Sequence, residues 1–168
     1  MATTREVRRG VRLAIALAST AVLGVGASAP AAYAANEHHG DDRGNGKLSA
    51  FLTGGMEVPG PGDADGRGTA QIKFKKGQIC YKLSWRNIEA PTAAHIHEAP
   101  PGEAGPVVLP LPLTNVRGGH GAAPSRVHNC VDASASLIAD IQENPGDYYV
   151  NIHNATFAGG AIRGQLHS

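Results

Sequence analysis

The chain has 168 residues, 42% of them hydrophobic, with 15 Lys+Arg against 14 Asp+Glu and a formal net charge of +1. Several of the arginines sit in an amino-terminal leader, so no basic stripe is expected in the remainder and nucleic acid is not an expected partner. What is left after that leader suits one domain with a modest core.

Residues 1–34 read as a signal peptide. Arg5, Arg8, Arg9 and Arg12 make a basic start, an apolar run follows over 13–25, and Ala32-Tyr33-Ala34 has small residues where a signal peptidase needs them. The run falls short of the roughly 20 residues that span a bilayer. Secretion with cleavage near Ala34 is therefore expected, with no membrane span in the mature chain. Residues 35–46, "ANEHHGDDRGNG", lack apolar periodicity and read as a flexible polar leader. After such a cleavage His38 stands fourth, one place too late for an amino-terminal copper clip, and His39 follows it. The two cysteines, Cys80 and Cys130, are expected to pair in an oxidising compartment.

From Lys47 to Ser168 the pattern is one of short strands. "KLSAFLT" opens, closed by Gly54-Gly55. In "GTAQIKFKKGQICYKLSW" two period-2 runs meet at Lys76-Gly77, a hairpin signal. Ala70, Ile72 and Phe74 share one face with Ile79, Tyr81, Leu83 and Trp85 across the turn, which leaves Cys80 on the outer face. "AAHIHEA" is a brief strand, and Pro110 and Pro112 make the following "PVVLPLPL" an edge or extended segment. Residues 114–126 read as loop and "RVHNCVD" as another strand. "ASASLIADIQENPGD" is the one helix candidate, with Leu137, Ile138 and Ile141 on one face and Asn144-Pro145-Gly146 as its stop. "YYVNIHN" and "GAIRGQL" close the chain, joined through Gly159-Gly160. The expected class is mainly β, a small barrel or sandwich with one short helix.

Four segments in this order, "LSAFLTGGMEVP", "AAHIHEAPPGEAGPVVLPL", "NPGDYYVNIHN" and "GGAIRGQL", resemble the CHRD (chordin-type) domain family over residues 47–167. The resemblance implies a Greek-key or immunoglobulin-like β-barrel with faint similarity to copper/zinc superoxide dismutases. It implies a secreted single-domain member and carries no established activity. A non-enzymatic extracellular binding or structural module, of unknown partner, is the function it points to.

The histidines supply the alternative. Strand alternation puts His95 and His97 on one face, with Ile96 on the other. Likewise Tyr149, Asn151 and His153 oppose Tyr148, Val150 and Ile152. If both isoleucines enter the core, all three histidines point away from it, and they meet only if the two strands are neighbours or loops fold over them. Imidazoles on a rigid sheet suit copper or zinc, and Glu98 is a candidate fourth ligand. A dismutase needs further ligands, for which His120, His128 and Asp132 offer no convincing match. Gly159, Gly160 and Gly164 read as turn and close-packing glycines, and Arg163 as an outward residue in a structural ion pair with a nearby carboxylate. Asn154-Ala155-Thr156 fits a glycosylation sequon. No nucleophile constellation is recognised, so catalysis is not expected.

Overall fold

The computed structural model describes residues 46–118 and 124–168. The expected signal peptide, the leader up to residue 45, and His120 lie outside them. Nine strands and one helix follow in chain order: β1 (Lys47–Thr53), β2 (Arg67–Lys75), β3 (Gln78–Arg86), β4 (Pro91–Glu98), β5 (Val107–Pro110), β6 (Arg117–Gly118), β7 (Ser125–Asp132), α1 (Ala135–Glu143), β8 (Tyr148–Asn154) and β9 (Ile162–Gln165). The strands form a single sheet in the order β5-β4-β8-β9-β1-β2-β3-β7-β6, with every pairing antiparallel. Ile96 on β4 and Leu83 on β3, far apart in that order, belong to one buried cluster. A flat sheet cannot bring them together, so the sheet curls around its own inner face as a half-barrel.

Period-2 alternation decides which side chains fill that core. Leu48, Ala50 and Leu52 point inward from β1, Ala70, Ile72 and Phe74 from β2, and Ile79, Tyr81, Leu83 and Trp85 from β3. Lys76-Gly77 turns the β2–β3 hairpin, with Gly77 at φ 73 in the left-handed region that glycine adopts without steric cost. The predicted helix begins one residue after Ser134, whose hydroxyl accepts from the Leu137 amide at 3.1 Å and caps it. Its Ile141 is fully buried, and Tyr148 donates to Asp140 Oδ2 at 2.8 Å, tying the helix to the start of β8. Pro110 lies on the edge strand β5, where its missing amide costs no ladder bond.

Cys80 and Cys130 are direct cross-strand partners on β3 and β7 and are joined in a disulfide. Alternation places Cys80 on the outer face beside Lys82, and the bond to Cys130 leaves it only 5% exposed. The sequon is another matter. Asn154 is 1% exposed and its Oδ1 accepts from the Phe157 amide at 2.7 Å, so the folded chain does not offer it for glycosylation.

Candidate metal centre

β4 and β8 are neighbours. Their register sets Ala93 opposite His153, His95 opposite Asn151 and His97 opposite Tyr149, while Ile96 and Ile152 are fully buried on the core side. The three histidines therefore share the outer face, diagonally disposed across one strand pair. Candidate ligand atoms of His95, His97 and His153 all lie within 4.8 Å of one another. One zinc or copper ion with bonds near 2 Å needs nitrogens roughly 3.3 Å apart in tetrahedral geometry, so small ring movements complete the set.

Hydrogen bonding selects the nitrogens. His97 Nδ1 lies 2.9 Å from the Gly105 carbonyl, and His153 Nδ1 lies 3.0 Å from the Ala158 carbonyl. A carbonyl only accepts, so both Nδ1 atoms carry hydrogen and both Nε2 atoms hold lone pairs. His97 Nε2 is buried and has no hydrogen-bond partner. His153 Nε2 faces His95 Nδ1 at 3.1 Å. Fixing one imidazole nitrogen on a carbonyl so that the other faces a metal is the usual outer support of a histidine ligand. Burial holds all three imidazoles below the ordinary histidine range, and neighbouring histidines add to this at His95 and His97. Neutral imidazole is the form that binds metal.

A loop over residues 99–106 roofs this half of the sheet, and the outer face explains why it stays there. Gly105 donates to Tyr149 Oη at 3.2 Å, and a Cβ at this glycine would strike the Glu98 carbonyl. Gln165 Nε2 donates to the Ala99 and Gly146 carbonyls at 2.8 and 2.6 Å. His97 stacks on Tyr149 at 4.7 Å between centroids, and the Arg163 guanidinium sits 3.4 Å from the same centroid. Two groups at those distances cannot share one face, so the tyrosine ring is sandwiched between them. Arg163 is only 2% exposed, contrary to the expected surface ion pair. It points away from the core but under the loop, where it donates to the Glu103 and Pro100 carbonyls at 2.6 and 3.3 Å.

The remaining expected residues are placed as follows. Glu98 is exposed and stands outside the three-histidine cluster. His128 and Asp132 lie on β7, five strands from β8 in the sheet order. A Cβ on Gly160, which has φ 148, would strike Glu57 Oε2, and one on Gly164 would strike the Phe51 carbonyl, whereas Gly159 has open space around it.

Sequence reasoning missed Glu57. Its carboxylate, 8% exposed, accepts from Asn151 Nδ2 at 3.1 Å, across 94 residues of chain. The family-like segment "LSAFLTGGMEVP" contains it but gave it no role in the site, although alternation had already put Asn151 on the histidine face. Burial pushes the Glu57 carboxyl from 4.5 up to about 7, against the lowering pull of the Asn151 bond and the Arg163 charge. In the unfolded chain the same group ionises near 4.5. As pH rises from 4.5 to 7 the unfolded state gives up this proton first, so the native state loses stability across that window and levels off above it. Glu57→Gln removes the effect. The variant should gain on the wild type through this window, reaching about 2 kcal/mol by pH ~8 once solvent screening is allowed for. A stability difference that stays constant from about pH 4 to 8 in paired thermal melts would contradict this.

No helix among the described residues is long and apolar enough to cross a membrane. No curated protein and no solved structure matches the chain. The CHRD domain family matches residues 48–166. That match spans all nine strands but the first residue of β1, and with it the histidine face and its roof, so the chain belongs to the CHRD domain family.

Proposed function

We propose that this CHRD-domain protein is a secreted, non-enzymatic module that binds a copper or zinc ion at His95, His97 and His153. The observation that carries the reading is the convergence of three imidazoles with two Nδ1–H groups spent on carbonyls and the buried Nε2 of His97 left without a hydrogen-bond partner. His97 and His153 would bind through Nε2, and His95 through Nδ1 once the proton it donates to His153 has moved to its own Nε2. Three neutral nitrogen donors suit Cu or Zn better than Mg or Ca, which take oxygen ligands. The basic and apolar leader and the Cys80–Cys130 bridge support an extracellular setting.

Calorimetric titration of the purified protein with copper and with zinc tests this. A single sub-micromolar site is expected, in line with a preformed three-histidine set. Because the three imidazoles titrate below their ordinary range, affinity should be level above about pH 7 and fall in more acid solution as protons compete. Absence of a sub-micromolar site for either metal at neutral pH would sink the reading.

A further inference from the structure

The outer face of the sheet has two halves. Over β4, β8 and β9 it is roofed and carries the histidines. Over β1, β2, β3, β7 and β6 it is open, and there the cations collect. Lys47 stands opposite Lys73, Arg67 opposite Arg86, and Arg117 opposite Arg126. Like charges directly opposite destabilise a strand pair, so three such pairs are retained against stability. Lys82 and His128 face each other between them, and Lys75 and Lys76 carry the patch to the hairpin tip. All these side chains are exposed. Among the described residues, Arg163 is the one lysine or arginine that lies off this half.

Most carboxylates lie off these strands, although exposed Asp65 stands two residues before Arg67, Glu89 three after Arg86, and Glu143 lines a cavity together with Lys47. Asp140, Glu143 and Asp147 belong to the helix and the turn after it, and Glu98 and Glu103 lie at the roof loop. The one carboxylate on an outward strand position of the open half, Asp132, accepts from Gln78 Nε2 at 2.9 Å. A nearly neutral chain thus presents a strongly basic surface, about 19 Å across its five strands. That width fits an extended polyanion rather than a single small anion.

The surface also carries features suited to a sugar polymer. Phe51 is 73% exposed among the cations, an aromatic platform for a pyranose face. Ser49, Gln71 and the Thr69–Ser84 hydroxyl pair offer neutral polar groups between the charges. The Cys80–Cys130 disulfide lies within this face and fits an oxidising compartment, where acidic glycans are among the extended polyanions. We propose that the open half of the sheet binds a linear acidic polysaccharide bearing carboxylate or sulfate groups, held by the paired lysines and arginines and stacked on Phe51.

The test measures binding of the purified protein at low salt to immobilised heparin and polygalacturonate, with neutral dextran, duplex DNA and phosphatidylglycerol vesicles alongside. One or both acidic glycans should bind at least about tenfold more tightly than DNA or vesicles, with affinity falling steeply as salt is added. Lys82→Glu/Arg126→Glu should weaken glycan binding by about tenfold or more, and Asp147→Lys, away from the face, should not. Should the first variant fail to fold, Lys73→Glu/Lys75→Glu is expected to give the same loss. Equal binding of dextran, binding to DNA or vesicles as tight as to the glycans, no glycan binding at low salt, or unchanged binding in a folded reversal variant would each overturn the proposal.

Discussion

A His153→Ala variant is expected to bind copper or zinc about 100-fold more weakly than the wild type, a loss of ~2.7 kcal/mol. The size follows from the donor count: His95 and His97 remain, and two imidazoles hold a dication far less well than three. His153 is the informative position because it is only partly buried and its other bond, to the Ala158 carbonyl, lies in a surface turn. His97→Ala should weaken binding as well, but it also strips a stacked ring from Tyr149 and breaks the bond that pins Gly105, so its melt should fall too. A metal role and a structural role thus separate. If His153 serves only to hold the turn, its removal lowers the melting temperature and leaves metal affinity within about twofold of the wild type.

Removing the disulfide should have the largest effect on stability. Cys80→Ala/Cys130→Ala opens a loop of sequence separation 50, and the chain-entropy estimate for that closure is about 4 kcal/mol. For a domain of this size the melting temperature should drop on the order of 15 °C. The bridge joins two strands already paired along eight register positions. Most of its contribution therefore comes from restricting the unfolded chain, since the native pairing is present without it. Thermal melts of the variant and of the wild type with and without reductant measure this. A variant melting within about 3 °C of the wild type would show that the strand pairing alone suffices.

Much of this molecule was legible before its fold. Alternation assigned the faces of β2, β3 and β8, the Lys76-Gly77 turn located the hairpin, and Asn144-Pro145-Gly146 marked the end of α1. The same rule put the three histidines on one side. All of these follow from local geometry, since a strand's side-chain period is fixed by its own backbone. Arg163 shows where the rule stops: its direction was right and its environment was not, because a loop arriving from more than 50 residues away covers it.

Strand order lies beyond that reach. Whether β4 runs beside β8 depends on contacts between segments some 50 residues apart, and only that adjacency turns two separate patterns, His95-Ile96-His97 and Asn151-Ile152-His153, into a three-imidazole cluster. The meeting of Glu57 with Asn151 is of the same kind. Charge behaves likewise. A sum over residues discards position, so a net charge of +1 read as no basic stripe, while among the described residues the curled sheet gathers every lysine and arginine but Arg163 on one open half, where Asp132 is the one carboxylate on an outward strand position. Composition and periodicity settled the class of fold and the direction of each side chain. The partners of those side chains were decided by the order of strands in the sheet, because that order is set by long-range packing that no local pattern encodes.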